Sequence, residues 1–489
     1  MPKDELCYLS AGEALALFRA RKLSPVELMK AVIARAEAVE PKINAFTYRY
    51  YDEALAKAKK AEARYMAGDG RPRSLEGIPF AVKDEAYIKG KPTSNASLIL
   101  KDNNIATTTS PEIERMLKAG AIVHARTATP EFSCLGQTWS RLWGVTRNPW
   151  NVEYTVGGSS GGSGASLAAG TTTLASGSDI GGSIRIPASC NGVVGFKAPY
   201  GRNPQDPPFN LDVYCHVGGL ARTVADMALI QNTMAGPHPN DIVSIRPKLR
   251  IPPVAGMDGI KGWKVAYSVD LGYAEVDKDV AKNTMDAVAA FKAAGAQVEE
   301  VDLGWTWSVL STAMNHLGHI FGVAIGQNLR ANRWMMTSYA RKWAEEARHS
   351  TAADFLQSLQ GAAEMYATMG PILEKYDVFL CPTTALSAVR ADLDPTREEV
   401  TINGKTVDPT LGWVLTYPFN VLSRCPVMSV PSGFDRNGVP TGLQIVGRTY
   451  DDVRVFRAAA AFEREKPWLG PKARPRVEAM NRKPSKRPS

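Results

Sequence analysis

The sequence predicts an α/β protein built as one large domain, and two observations carry that reading. Short apolar runs suited to buried strands, among them Gly77–Val82, Ala121–Ala125, Trp263–Tyr267 and Tyr376–Pro382, alternate with helical patterns that open on recognisable start signals. No Pro/Ser-rich linker and no internal repeat divides the 489 residues, although such a length can hold about three average domains. The expected domain covers 1–470, and a basic, disordered tail is expected over 471–489.

The first 70 residues read as a helical flank. Ser10-Ala11-Gly12-Glu13 and Ser24-Pro25-Val26-Glu27 both have the form of a capping box, the second with proline at the first helical position. A third helix, rich in Ala and Lys, runs from Asp52 to Met66 and ends at the loop Gly68-Asp69-Gly70. These helices can cover one flank of the sheet and offer a contact to a second copy, so a monomer or homodimer is expected.

A core segment over 77–225 follows. Its first strand ends on Lys83-Asp84, and the helix Pro111 to Lys118 leads into the strand at Ala121–Ala125. The stretch Glu131 to Trp150 is loop-like and carries Trp139, Trp143 and Trp150. Residues 157–201 read as loop, helix, strand, loop. Residues 262–303 form a βαβ scaffold unit, with strands at Trp263–Tyr267 and Val298–Leu303 around the helix Val276–Ala293.

Residues 304–375 read as helical and cleft-lining. Gly304 to Ala344 holds no Asp or Glu but four Trp, three Met and Phe321. A membrane span over Gly304–Gly326 is interrupted by Asn315, two histidines and several Gly, Ser and Thr residues, so no membrane partner is expected. His316 and His319 share a helical face, yet no carboxylate is near in sequence and no third ligand is evident, so no metal is expected. Pro426–Val430 and Gly442–Val446 read as a hairpin across Asp435-Arg436-Asn437-Gly438.

The net charge of +9 does not point to nucleic acid. Lys472–Ser489 carries seven basic residues against Glu478, leaving the body near neutral. The six cysteines, Cys7, Cys134, Cys190, Cys215, Cys381 and Cys425, are scattered without a C-x-x-C and fit a reducing compartment. Met1–Glu5 lacks the apolar core of a signal peptide, and a cytoplasmic location is expected.

The chemistry concentrates in Gly157–Gly201, where two Gly-Gly-Ser triplets, Gly157-Gly158-Ser159 and Gly181-Gly182-Ser183, flank a helix and a strand. A flexible linker does not fit, because Ala165–Ala169 and Val193-Val194-Gly195-Phe196 are structured patterns. A phosphate-binding loop lacks its lysine. Gly157–Gly161 matches the G-x-S-x-G nucleophile elbow, which makes Ser159 an alternative α/β-hydrolase-type nucleophile. Lys83 taken alone is a strand-end charge that reaches for water.

Lys83 together with the two Gly-flanked serines resembles the amidase signature family, a resemblance that runs from Ala11 to about Phe462. It implies a central mixed β-sheet covered on both faces by helices. It also implies a serine hydrolase of C–N bonds in amides, open to carbamates and esters, that needs no cofactor and uses water as second substrate. Carried over by position, Ser183 is the nucleophile, Ser159 the relay behind a cis Gly158–Ser159 peptide, and Lys83 the base. The backbone N–H groups of Ile180, Gly181, Gly182 and Ser183 are the expected oxyanion donors. Ser160, Asp179 and Arg185 are read as supports, the last two as an ion pair that fixes the loop.

Lysine has an ordinary pKa of about 10.4 and must lose solvation to act as a base near neutrality. No serine is followed by lysine three positions later, which removes the penicillin-binding type of site. Two places depart from the family pattern. Cys215-His216 stands where Asp-Gln is common, and Trp413 stands where glutamine-dependent relatives carry an aspartate. In the family the segment that carries Trp139 and Trp143 borders the substrate cleft, so Trp139, Trp143, His216 and Trp413 are read as substrate contacts, and an apolar pocket that favours aryl or alkyl amides is expected. One chain of a larger amidotransferase is the second reading, and a silent binding protein the third.

Overall fold

A computed structural model describes residues 3–67, 72–101, 103–470 and 474–477. Eleven strands build one sheet. In chain order they are β1 (Phe46–Arg49), β2 (Pro79–Lys83), β3 (Ile122–Thr127), β4 (Leu174–Asp179), β5 (Val194–Lys197), β6 (His216–Ala221), β7 (Lys264–Tyr267), β8 (Gln297–Glu300), β9 (Val378–Pro382), β10 (Val427–Phe434) and β11 (Pro440–Val446). Across the sheet the order is β1-β3-β2-β4-β6-β5-β10-β11-β9-β7-β8. The sheet is mixed: β2 pairs in parallel with β3 and β4, and β9 with β7, while the central pairings are antiparallel.

Helices cover both faces because alternate residues of a strand point to opposite sides. Phe80 and Val82 enter one core with the helices Ala11–Arg19, Pro111–Lys118 and Asp452–Glu465. Ala81, between them, packs on the other side with Leu167, Ile184 and Ala188. Farther along the sheet, Leu380 joins the first core while Phe379 and Cys381 join a third cluster, with the helices Ser308–Leu317 and Ala352–Lys375. This two-sided burial explains why the strands read as continuous apolar runs.

Most expected elements are present. Both capping boxes form, with Ser10 and Glu13 closing the start of Ala11–Arg19 and Ser24 and Glu27 that of Pro25–Ile43. The βαβ unit is β7, the helix Lys278–Ala293 and β8, paired in parallel. No helix among the described residues is long and apolar enough to cross a membrane. The six cysteines are free. The loop Gly68–Gly70 lies outside the described residues.

Two expectations are corrected. The stretch after Ser183, expected as loop, holds the helix Arg185–Asn191. Pro187 sits in its first turn, where a backbone N–H has no intrahelical partner to lose. Of the expected disordered tail, Arg474–Val477 are placed: Val477 is buried against Val39, Ile43 and Val156, and Arg474 lies over the Tyr8 ring. A valine that can close an apolar cluster does not stay in solvent. The remainder of 471–489 lies outside the described residues.

Candidate active site

Parallel neighbours β2 and β4 end on the same edge of the sheet, which brings Lys83 beside Ser178 and Asp179. Ligand sites in α/β sheets favour the carboxyl ends of strands. The Lys83 backbone N–H donates to Ser176 Oγ at 2.9 Å, which locks the strand end. Its side chain is buried, and Nζ donates to Ser159 Oγ at 2.7 Å and to Ser178 Oγ at 2.7 Å. Nζ also lies 2.6 Å from Glu85 Oε2. Burial draws the Lys83 ammonium below the ordinary lysine range, and the Glu85 carboxylate opposes that shift.

The Gly158–Ser159 peptide is cis. Gly158 is required by space, since a Cβ there would lie 2.4 Å from Gln137 O and 2.5 Å from Leu135 O. Ser160 ties the pieces together: its N–H donates to Ser183 O at 3.1 Å, and its hydroxyl lies 3.3 Å from both Ser178 O and Ser178 N. Ser163 Oγ donates to Ser176 O at 2.7 Å. The hydroxyl of Ser183 makes no hydrogen bond among the described residues.

Asp179 and Arg185 form a fully buried pair at 2.9 Å. Burial alone raises an aspartic carboxyl, but the Arg185 guanidinium holds Asp179 well below the usual carboxylate range. Asp179 also accepts the N–H of Gly182 at 2.8 Å and of Ile184 at 3.2 Å. The Gly182 N–H is thus committed to Asp179, which corrects its expected place among the oxyanion donors. The N–H groups of Ile180, Gly181 and Ser183 have no partner among the described residues. A Cβ on Gly181 would meet nothing within 4 Å, whereas one on Gly182, at φ +126°, would lie 1.9 Å from Thr416 Oγ1.

Two cavities meet here. The larger, about 240 Å³, is lined by Lys83, Ser159 and Asp179 and extends to Phe132, Phe209 and Phe321. The smaller, about 40 Å³, is lined by Ser183, Gly181, Leu317, Trp343 and Leu411. Ser133, Ile180 and Phe321 border both. The acid-free helical stretch therefore supplies Leu317, Phe321 and Trp343 to the walls.

Of the four residues read as substrate contacts, His216 alone borders either of these two cavities. Its Nδ1 lies 2.8 Å from Tyr214 O and its Nε2 3.2 Å from Ser423 O, and burial pushes its pKa down to about 3. Trp139 is buried with its indole N–H on Leu393 O at 3.2 Å. Trp143 donates to Ser94 Oγ at 3.0 Å and packs edge-on to Tyr48. Trp413 is completely buried behind Gly136. These three line neither cavity, because each indole is taken up by the packing of distant segments.

His316 Nε2 lies 2.7 Å from Asp212 Oδ1, and His319 Nδ1 is 3.0 Å from Ser350 Oγ, so the two histidines have separate partners. Among the described residues no group of three His, Cys, Asp or Glu side chains can hold a metal ion.

Sequence reasoning missed Glu85 and Ser133. Glu85 Oε2 accepts from Ser133 Oγ at 2.7 Å and from Ser178 Oγ at 2.9 Å. The signal for Glu85 was its position two residues past Lys83 at a strand end, where spacing of two returns to the same side. Ser133 carried no local signal.

A mixed, two-sided sheet with a desolvated lysine on a serine hydroxyl at its strand ends defines an α/β amidohydrolase when set beside known proteins. The family model described as Amidase matches residues 27–456. The chain belongs to the amidase signature family. It is 35% identical over 479 residues to the acylamidase of Rhodococcus erythropolis, covering 96% of this chain and 98% of that protein. It is 33% identical over 492 residues to a glutamyl-tRNA(Gln) amidotransferase subunit of Geobacter metallireducens, covering 96% and 99%. The solved structure of a bacterial aryl acylamidase of the same family superposes with a TM-score of 0.88 at 30% identity, covering 97% and 99%.

The glycine geometry gives a first prediction. Gly182→Ala is expected to lower stability by about 1–3 kcal/mol through overpacking, while Gly181→Ala folds normally. Thermal unfolding of the two variants checks this. Arg185→Leu, which strands the Asp179 carboxylate, is expected to cost about 3–5 kcal/mol in denaturant titration.

Proposed function

We propose that the protein is a serine amidase that cleaves C–N bonds of amides through an acyl-enzyme on Ser183. The observation that carries this reading is the 2.7 Å contact of buried Lys83 Nζ with Ser159 Oγ, one residue from the Ser160 N–H that holds Ser183 O. Lys83 in its neutral form accepts a proton from Ser159, which takes one from Ser183 as Ser183 Oγ attacks the carbonyl carbon. Ser159 then gives its proton to the nitrogen as the C–N bond breaks and takes one back from the Lys83 ammonium, which restores the neutral base. Water repeats the sequence to release the acid. The developing oxyanion lies within reach of the free N–H groups of Ile180, Gly181 and Ser183, each such donor typically being worth about 2.7–4 kcal/mol.

Phe132, Phe209 and Phe321 at the larger cavity support aryl or branched alkyl groups as substrate parts, whose burial is worth roughly 1.5–3 kcal/mol. The similarity to an acylamidase and an aryl acylamidase agrees with that class. Carbamates and esters present the same carbonyl and are open to the same attack. The similarity to one chain of an amidotransferase supports a second reading, in which ammonia passes to partner chains. Turnover by the purified chain, as monomer or homodimer, favours the first.

Ser183→Ala is expected to abolish turnover of an anilide, and Ser159→Ala and Lys83→Ala to lower it by orders of magnitude, with circular dichroism unchanged. A dead Ser159→Ala beside an active Ser183→Ala supports the nucleophile-elbow alternative instead.

The pH profile follows from the need for a neutral base. The kcat/KM rises as pH climbs through the free-enzyme pKa of Lys83, which lies below the ordinary lysine value. Glu85→Gln removes the charge that favours the ammonium, so the rising limb moves to lower pH by at least about one pH unit. An unshifted limb removes Lys83 as the titrating base.

A panel of anilides, aryl carbamates and esters against glutamine, compared by kcat/KM, tests the substrate class. Hydrophobic anilides are expected to exceed glutamine by at least about tenfold, the worth of one well-buried apolar group. A preference for glutamine supports the amidotransferase reading.

A further inference from the structure

The larger cavity has an acidic end that the chemistry proposed for Lys83, Ser159 and Ser183 does not use. Glu112 lines it from the first turn of Pro111–Lys118, 3% exposed, and its Oε2 has no hydrogen-bond partner among the described residues. Asp206 lines the same cavity and accepts the hydroxyl of Ser110, which also receives the Tyr87 N–H at 2.8 Å. No basic side chain forms an ion pair with Glu112 or Asp206 among the described residues. Lys83 is the one cation on the cavity wall among the described residues, and Glu85 already engages it. Asp179, also on the wall, is neutralised by Arg185.

A buried carboxylate oxygen without a donor, as Oε2 is, costs free energy. Burial, with Asp206 and Glu85 adding to it, pushes the Glu112 carboxyl well above the ordinary range. An entering cation reverses that, since an opposite charge within about 4–6 Å favours the carboxylate. Arg115 and His238 favour the two carboxylates without pairing with either, and an ammonium in the cavity adds a positive charge that a hydroxyl or neutral amide does not.

The orientation follows from proton delivery. Ser159 lines the larger cavity and Ser183 the smaller, and the departing nitrogen must face the group that protonates it. The half of the substrate that leaves as amine therefore occupies the larger cavity. We infer that Glu112 and Asp206 form a subsite for a protonated amine on the leaving group, so that N-acylated diamines, with an apolar acyl or spacer group, are the preferred substrate class. This rests on the amidase reading and names the substrate for the same site.

The test uses matched pairs: N-acyl diamines with three to six methylenes, N-alkyl amides of equal length, and ω-aminoacyl amides that carry the ammonium on the acyl side. The expected result is a kcat/KM at least about tenfold higher for the best N-acyl diamine than for its neutral partner, as one charge-assisted hydrogen bond gives. That ratio collapses in Glu112→Gln and Asp206→Asn. Calorimetric binding of monoacetyl-diaminobutane to Ser183→Ala reads the subsite without turnover. It is expected to weaken about tenfold when Glu112→Gln is added. Equal binding with and without Glu112, a preference for the neutral partner, or a preference for the ω-aminoacyl amide overturns the inference. Absence of turnover on every amide, with calorimetric binding intact, counts against the amidase reading alone.

Discussion

The Asp179 carboxylate is the point from which the site is hung. It is fully buried at the end of β4 and receives the N–H groups of Gly182 and Ile184, two nitrogens of Arg185 and the amide of Asn420. A charge so deep in the protein is tolerable only when every lone pair is met. Meeting them bends the chain after β4 into the loop that displays Gly181 and Ser183. Arg185 passes the constraint on, donating to Thr416 O, Gln444 Oε1 and Asn420 Oδ1. The C-terminal third of the chain is thereby pinned to the same loop. An ion pair read from sequence as a local brace is the tie between distant segments and the site.

Lys83 shows the opposing demand. In its proposed role as base Lys83 must be neutral to accept a proton, yet Glu85 beside it favours the ammonium, and burial outweighs that attraction. The carboxylate is itself held by the hydroxyls of Ser133 and Ser178. Lysine and glutamate therefore titrate as a pair. Ser178, bonded to both, lets either member keep a partner when the proton moves.

How much of this was legible depended on the range over which each signal acts. Lys83, Ser159 and Ser183 lie in local patterns, Gly-flanked or at a strand end, and capping boxes close within four residues, so both were readable. The helix Arg185–Asn191 was hidden because Pro187 mimics a breaker, although its place in the first turn makes it harmless. The tryptophans misled for a different reason. An indole in a loop-like stretch can face a cleft or a core, and for Trp139 the deciding partner, Leu393, is 254 residues away. Glu112 was invisible because an acid in a helix's first turn is ordinary favourable chemistry. Only the fold turns that first turn inward.

The loop between β5 and β6 explains why family resemblance fixes the reaction better than the substrate. It ends where the sequence departs from the family pattern, at Cys215-His216, and it supplies Gln205, Asp206 and Phe209 to the larger cavity. Its conformation is set from outside the reacting centre. Asp241 accepts the Gln205 N–H at 3.0 Å and the Asn210 amide at 2.9 Å, and Asp212 meets His316 at 2.7 Å. The strand ends that carry Lys83 and Asp179 belong to the rigid sheet, while this wall is a loop held by side-chain contacts. Changes in the loop can alter what enters the cavity while leaving the spacing of Lys83, Ser159 and Asp179 intact, so the proposed reaction and its selectivity rest on separable parts of one chain.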